Sequence, residues 1–314
     1  MSLAIGVDIG GTKVAGGVVT DDGMVVATAR LPTPSHDVKL TAEAIAGVVA
    51  VLQAEHVVSA VGVGAAGWID SDRSTVLFAP NLAWRDEPLR DRLNDLIALP
   101  VFVENDANAA AWAEYRFGAA QGERVLAMVT LGTGIGSGLV FSGQIYRGAN
   151  GIAPEFGHMC VVPGGRRCGC GNRGCWEQYA SGKALAREAR DIAAGAPLSA
   201  TGLLAAADGD IAKIDGPAVT AAALAGDPSA AECFEEVGRW LGVGLASLAA
   251  ALDPSCFVVG GGVAEAGALL LDPTRRAFES AVPGRGFRPM PDVRLAGLGN
   301  SAGLIGAADL ARSG

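Results

Sequence analysis

Nowhere in these 314 residues do about 18 apolar side chains follow one another without interruption, so no segment has the length and character of a bilayer-spanning helix. No run of Lys and Arg interrupts a formal net charge of -9, set by 24 basic and 33 acidic side chains. That balance argues against a protein that works by neutralising nucleic-acid phosphate, and neither nucleic acid nor membrane is an expected partner. The opening MSLAIGVDIGGTK lacks a basic region followed by an apolar stretch and a small-residue cleavage site, so it does not read as a secretory signal. A soluble, cytoplasmic protein is expected, in which thiols stay reduced and clustered cysteines bind metal in preference to forming disulfides. A Walker A loop and a Cys-x-x-Cys redox pair are also missing.

What is present is an α/β pattern. Half of the chain is hydrophobic, and its length suits about two domains of roughly 150 residues. AIGVDIGG reads as strand and turn, and KVAGGVVTDDGMVVATARL as two strands joined around Asp22 and Gly23. TAEAIAGVVAVLQAEH reads as a helix, as does the stretch from Ser229 to Leu252. VSAVGVGAAG, LPVFVEN, RVLAMVTLGTG and SCFVVGGG are further strands. Aligning AIGVDIGGTKVAGGVVTDDG with AMVTLGTGIGSGLVFSG pairs Gly10 with Gly132 and Gly16 with Gly138, each time as strand, glycine turn, strand. Such a spacing is too long for a solenoid repeat and predicts a duplicated half, with two related α/β lobes facing across a cleft.

A turn such as DIGGTK lets backbone N–H groups converge on an anion, because glycine accepts positive φ and has no Cβ to hold a phosphate away. Thr12 adds a hydroxyl, Lys13 a cation and Asp8 a carboxylate suited to Mg²⁺ through water. A tight turn without a ligand is the alternative for either turn alone, and the second one, LGTGIGSG, weighs against it. GVGAAG at 62–67 matches a dinucleotide fingerprint, yet WIDSDRSTVLFAPN follows as turn and strand where that site needs a helix. GGGVAE at 260–265 lies between a strand and a helix and can approach a base or ribose. VFVENDANAAAWAEY runs from a buried strand straight into a helix, with Asn105, Asp106 and Asn108 at the junction. Helix capping is one use of such residues. The other makes Asp106 a general base at a strand end, held ionised by the helix N-terminus.

DIGGTK, ENDANAA, LGTGIGSG, EFGH and CGCGNRGCWE, in this order and spacing, resemble the ROK family (repressor, open reading frame, kinase), and most closely its bacterial glucokinases. The likeness runs from about Ala4 to Ala311. It implies an α/β fold of the actin-like/hexokinase ATPase type, with a smaller lobe of residues 1–117 plus 301–314 and a larger lobe of 118–300 containing a zinc loop. It implies ATP, Mg²⁺ and glucose as ligands, transfer of the γ-phosphate to the sugar 6-hydroxyl, and a homodimer or homotetramer. Asp106 carries over as the base, and Asn81, Asn105, Glu155, His158 and Glu177 as sugar contacts, which Asp106 joins. Gly10, Gly11, Thr12, Lys13, Thr133 and Gly134 fall on the phosphate turns beside Asp8, and Gly261 with Gly262 near the nucleoside.

His158, Cys168, Cys170 and Cys175 match a Cys₃His zinc site in ligand type, and with EFGH upstream they match the family's zinc signature. Four protein ligands leave no open position, so this zinc would be structural. One imidazole nitrogen of His158 would bind the metal and leave the other for a sugar hydroxyl. Cys160, Cys233 and Cys256 lie outside the set and read as small core residues. The rival readings are a kinase for another hexose or an N-acetylhexosamine, and a sugar-sensing regulator. Repressors of the family carry an N-terminal helix-turn-helix, for which no room is expected before a first strand starting at Ala4.

Overall fold

The computed structural model describes residues 2–313. They form two compact units, one of residues 2–127, 138–154 and 297–313, the other of Met128–Ser137 and Glu155–Ala296. Residues 118–127 and 138–154 cluster with the N-terminal segment, because the chain changes unit inside two adjacent strands.

In chain order the first half contains β1 (Ala4–Ile9), β2 (Lys13–Val19), β3 (Val25–Pro32), α1 (Val38–Gln53), β4 (Val61–Ala65), β5 (Trp68–Ile69), β6 (Val76–Phe78), β7 (Arg85–Glu87), α2 (Leu89–Asn94), β8 (Val101–Asn105) and α3 (Asp106–Phe117). The second contains β9 (Val125–Leu131), β10 (Ile135–Phe141), β11 (Gln144–Ile145), α4 (Gly182–Gly195), α5 (Thr201–Ala205), α6 (Gly216–Leu224), α7 (Pro228–Leu252), β12 (Cys256–Gly260), α8 (Ala268–Ala281), β13 (Asp292–Leu295) and α9 (Ala302–Ser313). One five-stranded sheet runs β3-β2-β1-β4-β8, the other β11-β10-β9-β12-β13. Both orders place the second and third strands on one side of the first and two later strands on the other. The paired glycine turns therefore mark a repeated topology, as the internal similarity predicts.

In the N-terminal unit β1, β4 and β8 run parallel, with Asp8 beside Gly64 and Ala65 beside Asn105. Their carboxyl ends consequently share one edge, where ligands of open α/β sheets bind. The apolar residues of β1 and β4 are fully buried, as continuous Val/Ile strands covered on both faces require. On one face α1 buries Thr41, Ile45, Val48, Val49 and Leu52, a helical stripe. Its start at Val38, three residues before the apolar pattern, follows from Asp37, which accepts from Leu40 N–H as N-cap. Against the other face α9 lies so close that a Cβ at Gly6 would strike the Leu304 carbonyl and one at Gly62 that of Ala307. The glycines of GVGAAG thus serve helix packing and a strand end, and β5 follows them, as the sequence predicts.

The second unit is built around α7 and α8 on β12, with Phe257 edge-on to Phe278 at 5.7 Å. Its deepest anchor is Trp176, fully buried, whose indole N–H donates to Trp240 O at 2.8 Å. Gly244 of α7 has no Cβ because the Trp176 ring fills that space. No helix among the described residues is long and apolar enough to cross a membrane.

Candidate active site and metal centre

Asn105 caps α3: its Oδ1 accepts from Asn108 N–H at 3.0 Å and its amide donates to Gly67 O at 3.0 Å. Of the two amide hydrogens, these bonds use one. The capping task expected of this cluster thus falls on Asn105, and Asp106, the first residue of the helix, keeps its carboxyl free of it. The helix N-terminus does not act alone on Asp106: the residue is partly exposed, and burial raises its pKa against the lowering effect of the Ala107 and Asp106 N–H groups. Asp8 stands on the same edge. Burial first, then the Asp106 charge, push its pKa up to about 7, with Lys13 pulling the other way. Gly64, between their strands, interposes no side chain.

The first glycine turn is closed by Gly10 N–H to Lys13 O at 3.0 Å and fastened by Thr33, whose hydroxyl donates to Gly10 O at 2.8 Å. Gly11 approaches Asn81, while Thr12 and Lys13 are exposed. These groups all lie in the N-terminal unit.

In the other unit the second turn closes one residue tighter, Gly132 N–H to Gly134 O at 3.0 Å. Thr133 is exposed, and Gly132 O accepts from Gly182 N–H at 2.8 Å, which brings the N-terminus of α4 to the turn. A helix N-terminus there favours an anion. Gly261 has φ of 84° and no room for a Cβ against Leu131, while beside Gly262 the space is open. Glu155 and His158 flank a short 3-10 turn whose Phe156 N–H donates to Ser137 Oγ at 2.9 Å. Glu177 lies against Gly134, where a Cβ would meet its carboxylate. The sugar-contact candidate and the phosphate turn therefore touch within this unit.

His158, Cys168, Cys170 and Cys175 bring one donor atom each to within 4.8 Å of one another. Cys168 Sγ is 3.6 Å from His158 Nδ1, and Cys170 Sγ is 3.6 Å from Cys175 Sγ. Zinc–ligand distances of about 2.3 Å to sulfur and 2.0–2.1 Å to nitrogen give tetrahedral edges of about 3.8 Å (S···S) and 3.6 Å (S···N), so the donor set fits zinc. Nδ1 faces the Cys168 thiol and lies 4.0 Å from Glu177 Oε1, and Nε2 lies 3.8 Å from Glu155 Oε2. Burial raises the Cys168 and Cys175 thiols. Cys170 is lowered despite burial, by the Asn172 N–H and the neighbouring thiols. Cys160, expected in the core, is exposed and forms an isolated antiparallel bridge with Cys175; Cys233 and Cys256 are buried as expected.

The loop is held from below. Trp176 sinks into α7 between Cys175 and Glu177, and Tyr179 Oη accepts from Arg166 N–H at 2.9 Å. Trp176 and Glu104 carry no role that their local sequence announces beyond a tryptophan set between a cysteine and a glutamate, and Gly67, in the GVGAAG stretch, takes the Asn105 amide.

The ROK family model matches residues 4–313. The chain belongs to the ROK family. It is 50% identical to a glucokinase of Streptomyces coelicolor over 99% of this chain and 98% of that protein. It is 35% identical to an N-acetylmannosamine kinase of Escherichia coli, over 98% of each. The crystal structure of a ROK family glucokinase from Streptomyces griseus in complex with glucose and AMPPNP superposes with a TM-score of 0.93 at 52% identity, covering 100% of both chains. The α/β fold expected from the motifs is therefore that of the ROK kinases.

Proposed function

We propose that this ROK protein is an ATP-dependent glucokinase, transferring the γ-phosphate of ATP to the 6-hydroxyl of glucose. The observation that carries the reading is Asp106, relieved of capping by Asn105, at the carboxyl end of the parallel strands β1, β4 and β8 within a chain 52% identical to a glucokinase crystallised with glucose and AMPPNP. Phosphoryl transfer through a loose transition state needs mostly alignment and charge stabilisation. The backbone N–H groups of Gly10, Gly11 and Thr12, the Lys13 ammonium and the turn at Thr133 and Gly134 cradle phosphates, and Gly261 and Gly262 border the nucleoside. Asp8 meets, through water, the Mg²⁺ that accompanies ATP and neutralises phosphate charge. Asn81, Asn105, Glu155, His158 and Glu177 hydrogen-bond sugar hydroxyls, and Asp106 accepts the 6-hydroxyl proton. Its raised pKa makes it a stronger acceptor once ionised.

His158, Cys168, Cys170 and Cys175 would hold a zinc ion whose chemistry is structural, closing the loop with all four positions filled. His158 is thereby oriented with Nε2 toward Glu155 and the sugar. Family likeness supports a cytoplasmic homodimer or homotetramer. The second reading, phosphorylation of an N-acetylhexosamine, draws on the Escherichia coli relative. A coupled assay with MgATP across glucose, mannose, fructose, N-acetylglucosamine and N-acetylmannosamine decides between them. Glucose giving the highest kcat/KM supports the reading, and an N-acetylated sugar doing so overturns it. Glucose binding without phosphorylation of any sugar would favour a sensor.

A further inference from the structure

Directly behind the Asn105–Asp106 junction lies a buried charge network whose charged members are not among the proposed ligand contacts. Glu104 is fully buried. Its Oε1 accepts from Asn105 N–H at 2.9 Å, from the Asn108 amide at 3.2 Å and from Arg147 Nε at 3.2 Å, while Oε2 accepts from Arg73 Nε at 2.9 Å. Arg147, 8% exposed, spends the rest of its guanidinium on the carbonyls of Asp70 at 2.9 Å, Ser71 at 3.1 Å and Ile69 at 3.3 Å. Asp70 is itself fixed by the N–H groups of Ser74 and Thr75. The same segment receives the Asn105 amide at Gly67 O. Two residues of the first turn of α3 and the 67–71 strand end are thus tied to one carboxylate.

Burying a carboxylate and a guanidinium is expensive, and apolar side chains of similar volume commonly hold a fold as well or better. The network's distinguishing property is directional: it fixes the strand-to-helix corner from which Asp106 projects. We propose that Glu104, locked by Arg147 and Arg73, is a positioning residue that sets the placement of Asp106 for phosphoryl transfer. The proposal rests on the reading of Asp106 as the general base. Asn105 belongs to this corner, but the proposed sugar contacts Asn81, Glu155, His158 and Glu177 lie outside it, so loosening the corner lowers turnover more than it weakens binding.

The test compares Glu104→Gln, Arg147→Lys and Asp106→Asn in the full chain, measuring kcat per folded molecule, glucose Kd by calorimetry, MgATP KM and thermal midpoint. Arg147→Lys keeps the buried charge but loses the fork, so it decides the matter if Glu104→Gln does not fold. The expected result is a kcat lowered about ten- to hundredfold, the scale of a small misplacement of a reacting group, with glucose Kd and MgATP KM within about threefold. A lower thermal midpoint with kcat per folded molecule within about twofold of the parent would show a merely structural role and overturn the proposal. If Asp106→Asn is inactive while Arg147→Lys matches the parent, positioning alone fails. If Asp106→Asn turns over normally, the base assignment fails first, and the proposal with it.

Discussion

Replacing Trp176 with Ala separates the anchoring of the metal loop from the chemistry it serves. The indole is fully buried against Gly244 and gives its N–H to Trp240 O. Truncating a buried tryptophan costs about 3–5 kcal/mol, and the lost hydrogen bond about 1 kcal/mol more. For a unit of this size that lowers the thermal midpoint by roughly 10 °C or more. The functional effect comes from the neighbours in sequence. Cys175, a metal ligand candidate, precedes Trp176, and Glu177 follows it. Displacing Glu177 removes the charged hydrogen bond proposed to the sugar, about 1.5–3 kcal/mol, so glucose KM is expected to rise about ten- to hundredfold. MgATP KM is expected to change less than glucose KM, because the second glycine turn, although Gly134 lies against Glu177, is also held by Gly182 N–H on Gly132 O. Differential scanning fluorimetry, zinc content by mass spectrometry and steady-state kinetics read all three effects. A Trp176→Ala protein with a lowered midpoint but unchanged zinc content and glucose KM would refute the link from anchor to site.

Two further outcomes follow from the site. Cys170→Ser loses both bound zinc and glucose phosphorylation, and full activity in a zinc-free preparation of the parent protein would show the metal to be dispensable. Asp8, with its pKa pushed up to about 7 by burial and by Asp106, is largely protonated below neutrality in the free protein. A raised carboxyl pKa means the folded state holds the extra proton between the unfolded value and about 7, so this group's contribution to stability is present at acid pH and lost as pH rises through 7. Binding of MgATP reverses the balance and releases that proton. Calorimetry in buffers of different ionisation enthalpy measures the release near pH 6.5, and Asp8→Asn abolishes it; equal release from both proteins would contradict the assignment.

The fold was legible because its signals are local. Runs such as AIGVDI and CFVVG are buried on both faces, and the two glycine turns sit at matching places in two sheets of like order. Motif residues were legible for the same reason: DIGGTK, EFGH and CGCGNRGC are contiguous, and the structure gathers His158 with its three cysteines. What escaped depends on contacts distant in sequence or on solvent exclusion. Glu104 meets Arg147 from 43 residues away. The three-stranded sheet β5-β6-β7 is built from strands of two or three residues, too short to show alternation. The direction in which the Asp106 pKa moves depends on how protein packs around it, and there burial outweighs the helix terminus that the sequence displays.

The central claim is that the carboxylate of residue 106 takes the proton of the sugar's primary hydroxyl. Asp106→Asn tests it most directly, in a single-turnover assay with saturating glucose and MgATP, alongside glucose binding by calorimetry. The account predicts sugar affinity within a few-fold of the parent and phosphoryl transfer slower by at least about a hundredfold. Transfer at close to the parent rate, with the sugar bound as tightly, would contradict it.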